Sequence, residues 1–137
     1  MTTSAANRGK RGEKLFKDYL ATMCVYTDTA SYRLPDAHAG SKQATLADFL
    51  LMRRGKLHLI EVKETKHDFR LPHPNFDIGQ VARQRMWKDA GANSLVLIFH
   101  SGLSLWRGYD IDRFIKREGG SWDLSDTEPK TLKEIME

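Results

Sequence analysis

An α/β fold with a central mixed sheet flanked by helices is predicted by three features of the chain. It opens with an amphipathic helical stretch, continues through three strand-like runs, and then passes by a second helical stretch into a continuous apolar strand. Helices on either side of one sheet are the economical way to bury that order of elements. The 137 residues, 40% hydrophobic and 29% charged, have the composition of one ordinary globular domain whose core needs no disulfides.

Residues 8–23 set Leu15, Phe16, Tyr19, Leu20 and Met23 at helical spacing as a buried stripe. Arg8, Lys10, Arg11, Lys14 and Lys17 make the exposed side basic, while Glu13, at the opposite edge from Lys10 and Lys14, looks toward the sheet. Residues 25–34 are rich in β-branched and aromatic side chains and read as the first strand, ended by Pro35. Residues 36–44 lack apolar periodicity and read as a loop carrying Lys42 and Gln43.

Residues 47–65 read as a hairpin, two apolar runs joined through Arg53-Arg54-Gly55-Lys56. Pro72 and Pro74 keep residues 66–74 from being helical. Asn75 is expected to cap a helix running from Ile78 to Asp89 and stopped by Gly91, with Gln80 and Gln84 on one face. Residues 93–99 form a continuous apolar strand suited to cover on both faces, and residues 103–109 the next strand. Asp110 caps a short helix over 111–116, which Glu118-Gly119-Gly120 breaks. The domain is expected to span 1–117, with 118–137 an acidic tail that packs loosely or stays partly disordered.

The hairpin carries the chemistry. Asp48 starts its first strand, opposite the end of the second, where Glu61 and Lys63 share one face because side chains alternate with period two. Val62 points the other way, into the core. Two carboxylates and an ammonium at one spot are expensive to assemble unless a cation neutralises the carboxylates. Mg²⁺, held by Asp48, Glu61 and the Val62 carbonyl, with Lys63 to orient water or hold a phosphate oxygen, makes a phosphodiester-hydrolysing centre. An isolated Glu-x-Lys triplet is common on strand surfaces; its place at the end of an apolar strand, paired with Asp48, is what gives it weight.

Charge agrees with a polyanionic partner. The net charge is +4; six acidic and two basic residues from Glu118 onward leave −4 there, so the first 117 residues carry +8. Cys24 is the only cysteine, which excludes an intramolecular disulfide and a cysteine-based zinc site. No apolar run approaches the roughly 20 residues of a membrane span, and no secretory signal opens the chain, so a cytoplasmic protein is expected. His58, His67, His73 and His100 show no metal-ligand spacing; His73, between two prolines, lies nearest the expected site.

Asp48 followed by Glu61-Val62-Lys63 resembles the PD-(D/E)XK nuclease superfamily, whose restriction-endonuclease-like core is αβββαβ. Asn7-Arg8-Gly9, the run Glu61-x-Lys63-Glu64-Thr65-Lys66, and Asn75-Phe76 followed by Gln80 resemble the RecU-type Holliday junction resolvases over residues 7 to 109. The resemblance implies a homodimer that binds a four-way DNA junction and nicks opposing strands symmetrically in recombination and repair, using Mg²⁺ or Mn²⁺. By position, Asp48, Glu61 and Lys63 would be catalytic, Glu13 a supporting acid and Gln80 a site-orienting residue. Arg8, Lys10, Arg11, Lys14, Lys42 and Lys66 are the expected DNA contacts. Ala47 stands where the family has Pro or Thr, and the loop 35–45 is shorter than the RecU stalk, a compactness that is similar to the archaeal resolvases. Another nuclease of this fold, or a DNA-binding module that kept the fold without catalysis, are the alternatives.

Overall fold

The computed structural model describes residues 5–35 and 46–137, and the side chains from residue 11 onward within the first helix. The elements in chain order are α1 (Ala5–Met23), β1 (Thr29–Arg33), β2 (Phe49–Arg53), β3 (Lys56–Thr65), β4 (Arg70–Pro72), α2 (Ile78–Asp89), β5 (Asn93–His100), β6 (Leu105–Asp110), β7 (Ser121–Asp123) and α3 (Leu132–Met136). Short 3-10 turns cover His73–Asn75 and Ile111–Phe114.

One five-stranded mixed sheet, in the order β1-β2-β3-β5-β6, is the frame. β1, β2 and β3 form an antiparallel meander, β3 and β5 run parallel, and β6 returns antiparallel to β5. A parallel pair needs a long crossover, and α2 supplies it. Alternation along β5 explains its unbroken apolar sequence. Leu97 and Phe99 join Phe16, Leu20, Ile60 and Val62 in a core beneath α1, whereas Val96 and Ile98 join Phe76, Val81 and Phe114 beneath α2.

The hairpin turn is tighter than expected. β2 ends at Arg53 and β3 starts at Lys56, so only Arg54 and Gly55 turn, at φ 52° and 77°. Two successive left-handed residues match the twist of the flanking strands.

Several elements depart from the sequence reading. The first strand begins at Thr29, because residues 24–28 are spent on turns closed by Tyr26 N–H to Met23 O and Thr29 N–H to Tyr26 O. Leu15 is 39% exposed, so the buried stripe of α1 is Phe16, Leu20 and Met23, flanked by Tyr19. Asp77, not Asn75, caps α2: its carboxylate accepts the Gln80 N–H at 3.1 Å, while Asn75 closes the preceding 3-10 turn. Residues 66–74 are non-helical except for that turn, and they include a strand, β4, paired with β7. Lys42 and Gln43 lie outside the described residues, as do the side chains of Arg8 and Lys10.

The acidic segment 118–137 is not a loose tail. Trp122, Leu124 and Leu132 are buried, Lys130 bridges to Trp106, and Thr131 and Glu134 close a reciprocal capping box on α3. Three well-spaced apolar residues outweigh the surrounding charge, all of which faces water. Among the described residues, no helix is long and apolar enough to cross a membrane.

Candidate active site

Asp48 directly precedes β2 and is stitched to β3 twice. Its N–H donates to the Ile60 carbonyl at 3.1 Å and its Oδ2 accepts the Val62 N–H at 2.7 Å. In a strand, the N–H and C=O of one residue point to the same edge. The Val62 carbonyl therefore faces the Asp48 edge of β3. Glu61, 3% exposed, projects from the face covered by α2, and Val62 lies in the α1 core as alternation requires.

Glu61 is held by three donors. Its Oε2 accepts the Gln80 amide at 2.9 Å and the Gln84 amide at 3.1 Å, and Lys63 Nζ lies 3.3 Å from Oε1. Lys63 also reaches Gln80 Oε1 at 3.4 Å and sits 4.7 Å from the centre of the Phe76 ring. Gln80 thus touches both the acid and the ammonium. Gln84, fully buried, also donates to the Leu46 carbonyl at 2.9 Å and so ties α2 to the chain leading into Asp48.

Glu13 arrives from α1, its carboxylate in hydrogen-bonding reach of Asp48. Arg33, on β1, donates to Glu13 Oε2 at 2.8 Å, donates to the Leu34 carbonyl, and lies over the Phe49 ring at 5.6 Å. Glu13, Asp48, Glu61, Lys63 and Gln80 therefore converge. Sequence reasoning missed Arg33, whose only signal was a cation in a strand next to the Asp48 strand, and left Gln84 as a helix-face neighbour of Gln80. Arg11, Lys14 and Lys66 are exposed: Arg11 lies 5.2 Å from the Phe99 ring centre, and Lys14 pairs with Asp18 at 3.7 Å. His73 packs against Trp122 at 4.4 Å between ring centres.

Three acids in one place perturb one another. Burial, then the charge of Glu61, push the Asp48 carboxyl up to about 7, against the opposing pull of the Val62 N–H, Lys63 and Arg33. Burial also raises Glu61, opposed by Lys63, Gln80 and a hydrogen bond from Asp48, and burial with the Asp48 charge raises Glu13. Burial thus holds both carboxyls of the Asp48–Glu61 pair above the ordinary carboxylate range, with the charge of Glu61 adding to it at Asp48. Such crowding is relieved by a cation, and the donor set fits one: the Asp48 and Glu61 carboxylates and the Val62 carbonyl on the Asp48 side of β3. No group of three or more His, Cys, Asp or Glu side chains forms a ready metal cage among the described residues. Mg²⁺ does not require one, because it keeps several waters and takes one or two carboxylates.

The fold, a five-stranded mixed sheet flanked by helices, is that of the restriction-endonuclease-like class. Archaeoglobus fulgidus Hjc, described as a Holliday junction resolvase from an archaeal hyperthermophile, superposes with a TM-score of 0.61 at 20% identity, covering 93% of this chain and 98% of that one. The bacterial homing endonuclease I-Ssp6803I superposes with a TM-score of 0.54 at 15% identity, covering 93% of this chain and 79% of that one. No family model and no curated protein matches the sequence. The Hjc likeness agrees with the similarity to the archaeal resolvases noted in the sequence; the loop at 36–45 lies outside the described residues.

Proposed function

We propose that the chain is a metal-dependent, structure-selective DNA endonuclease that resolves four-way junctions by paired, symmetric nicks in recombination and repair. The observation that carries this reading is the convergence of Glu13, Asp48, Glu61 and Lys63 around the Asp48–Glu61 pair. Asp48, Glu61 and the Val62 carbonyl would hold Mg²⁺, with Mn²⁺ able to substitute. When bound, the ion supplies a nucleophilic water and neutralises charge on the phosphate. Lys63 presents an ammonium to a phosphate oxygen or the attacking water. Gln80 and Gln84 fix the Glu61 carboxylate, and Arg33 steadies Glu13 beside Asp48.

Arg8, Lys10, Arg11, Lys14, Lys42 and Lys66 are proposed to contact the DNA backbone, which suits the +8 carried by the first 117 residues. A homodimer is proposed because two sites related by a two-fold axis face opposite strands of a junction; sedimentation as a monomer at working concentration refutes it. The resolvase and homing-endonuclease likenesses support the nuclease fold, and the first supports the junction reading. The second keeps a duplex-cutting nuclease as the competing reading.

The test compares cleavage of a mobile four-way junction with cleavage of its linear arms in Mg²⁺. The junction is expected to be cut and the arms spared; equal rates end the junction reading. Asp48→Asn and Glu61→Gln are expected to lower cleavage by at least about 10²-fold, with binding in Ca²⁺ or EDTA largely kept. A wild type that cuts no DNA in Mg²⁺ or Mn²⁺ overturns the enzyme reading altogether.

A further inference from the structure

The segment joining β3 to α2 leaves the proposed catalytic centre and comes back to it. It begins at Thr65, two residues past Lys63 on the same face of β3, and reaches Phe76, whose ring centre is 4.7 Å from Lys63 Nζ. Its outer part, residues 66–69, belongs to no strand or helix. Even so, it is held at four successive carbonyls. His67 O is 2.7 Å from His100 Nδ1, Asp68 O accepts from Arg107 Nη1 at 2.6 Å, Phe69 O from the Leu124 N–H at 2.7 Å, and Arg70 O from Thr65 Oγ1 at 3.2 Å.

The groups that do this are themselves buried. His100 is fully buried and Arg107 is 5% exposed, and Arg107 Nη1 lies 3.0 Å from His100 Nε2. The buried Arg107 guanidinium holds two carbonyls, Asp68 O through Nη1 and Thr127 O through Nε at 2.6 Å, and so pins the loop to the C-terminal segment and fixes its shape. What the loop presents is an aromatic ring. Of the six phenylalanines, five are at most 2% exposed and Phe69 is 53% exposed. Lys66 and Arg70 are exposed on either side of it, with Arg70 Nη2 3.4 Å from His67 Nε2. The Asp68 carboxylate lies beside the 101–104 turn, where a Cβ on Gly102 would be 3.2 Å from it, and with two cations to one acid the loop stays net basic.

We infer that residues 66–70 are a preorganised nucleobase-stacking site: Phe69 stacks on a base that has lost its neighbour at a DNA branch, while Lys66 and Arg70 take the adjoining phosphates. The inference rests on the proposed junction nuclease and deepens it. An aromatic face flanked by cations fits an unstacked nucleotide, and stacking of this kind is tolerant of sequence. Intact duplex offers no free base face. The loop therefore reads the branch, while contacts along the backbone do not distinguish branched from linear DNA.

The experiment measures binding in Ca²⁺ with Asp48→Asn as the parent, so that no strand is cut. Adding Phe69→Ala is expected to weaken binding to a four-way junction about ten-fold and to a linear duplex by less than about two-fold, with Phe69→Trp retaining the parent affinity. Because Phe69 is largely exposed, the melting temperature should stay unchanged. An unchanged junction affinity, or an equal loss on junction and duplex, overturns the stacking site. A parent that binds neither DNA overturns this site and the nuclease reading together. A wild type that cleaves nothing, with the junction-specific loss intact, defeats the catalytic reading and leaves the stacking site standing.

Discussion

Asp48 carries a large electrostatic cost at the site, and it predicts a pH dependence. In the unfolded chain its carboxyl titrates near 3.8, and in the fold near 7, because burial and Glu61 disfavour its charge. Between those values the native state binds the extra proton, so this group makes stability fall as pH rises from about 4 to about 7. The whole effect is at most about 4 kcal/mol. Glu61 and Glu13, also raised, add in the same direction. Urea denaturation of the metal-free protein should show higher stability at pH 5 than at pH 8, with Asp48→Asn flattening the slope. At pH 8, Mg²⁺ or Mn²⁺ should raise the melting temperature of the wild type and leave that of Asp48→Asn unmoved. A wild-type slope of the opposite sign would contradict the crowded-acid picture.

At the scale of elements, the docking of α1 on β3 decides whether Glu13 reaches Asp48. Glu64 lies on the face of β3 opposite Glu61, and its Oε1 accepts the Gly12 N–H at 2.8 Å. Gly12 permits this approach: a Cβ there would stand 3.3 Å from Phe99 Cβ and 3.4 Å from Val62 Cγ1. Glu13 is the next residue, so the same contact sets its carboxylate against Asp48. Glu64→Ala leaves a buried-side N–H without its charged acceptor and is expected to cost about 1.5 kcal/mol. Glu64→Gln keeps an oxygen acceptor and should recover most of the loss. Denaturation of the two variants side by side checks this, and equal destabilisation would show that the Gly12 contact is not the source.

For the molecule as a whole, the two cores depend on the last twenty residues. Trp122 and Leu124 complete the core beneath α2, Leu132 completes the one beneath α1, and their exposures are 6%, 0% and 9%. At roughly 1.5–3 kcal/mol for each buried large apolar side chain, their loss rivals the total stability of a small domain. A chain ending at Gly120 is therefore expected to lack a cooperative thermal transition by circular dichroism. A sharp melt near that of the full chain would restore the loose-tail reading.

Local pattern was enough to read much of this protein from its sequence. Period-two alternation placed Glu61 and Lys63 together and Val62 behind them, the apolar run of β5 announced a strand covered on both faces, and a hairpin with Asp48 at its start implied that Asp48 and Glu61 meet. Those inferences hold because each depends on geometry within a few residues or across one turn. Only the tertiary structure could bring Arg33 to Glu13, since that pair joins β1 to α1, or bury Gln84 against Glu61 across 23 positions of chain. The same holds for segment 118–137, where average charge conceals three residues whose burial is decided by the cavities that distant elements leave open.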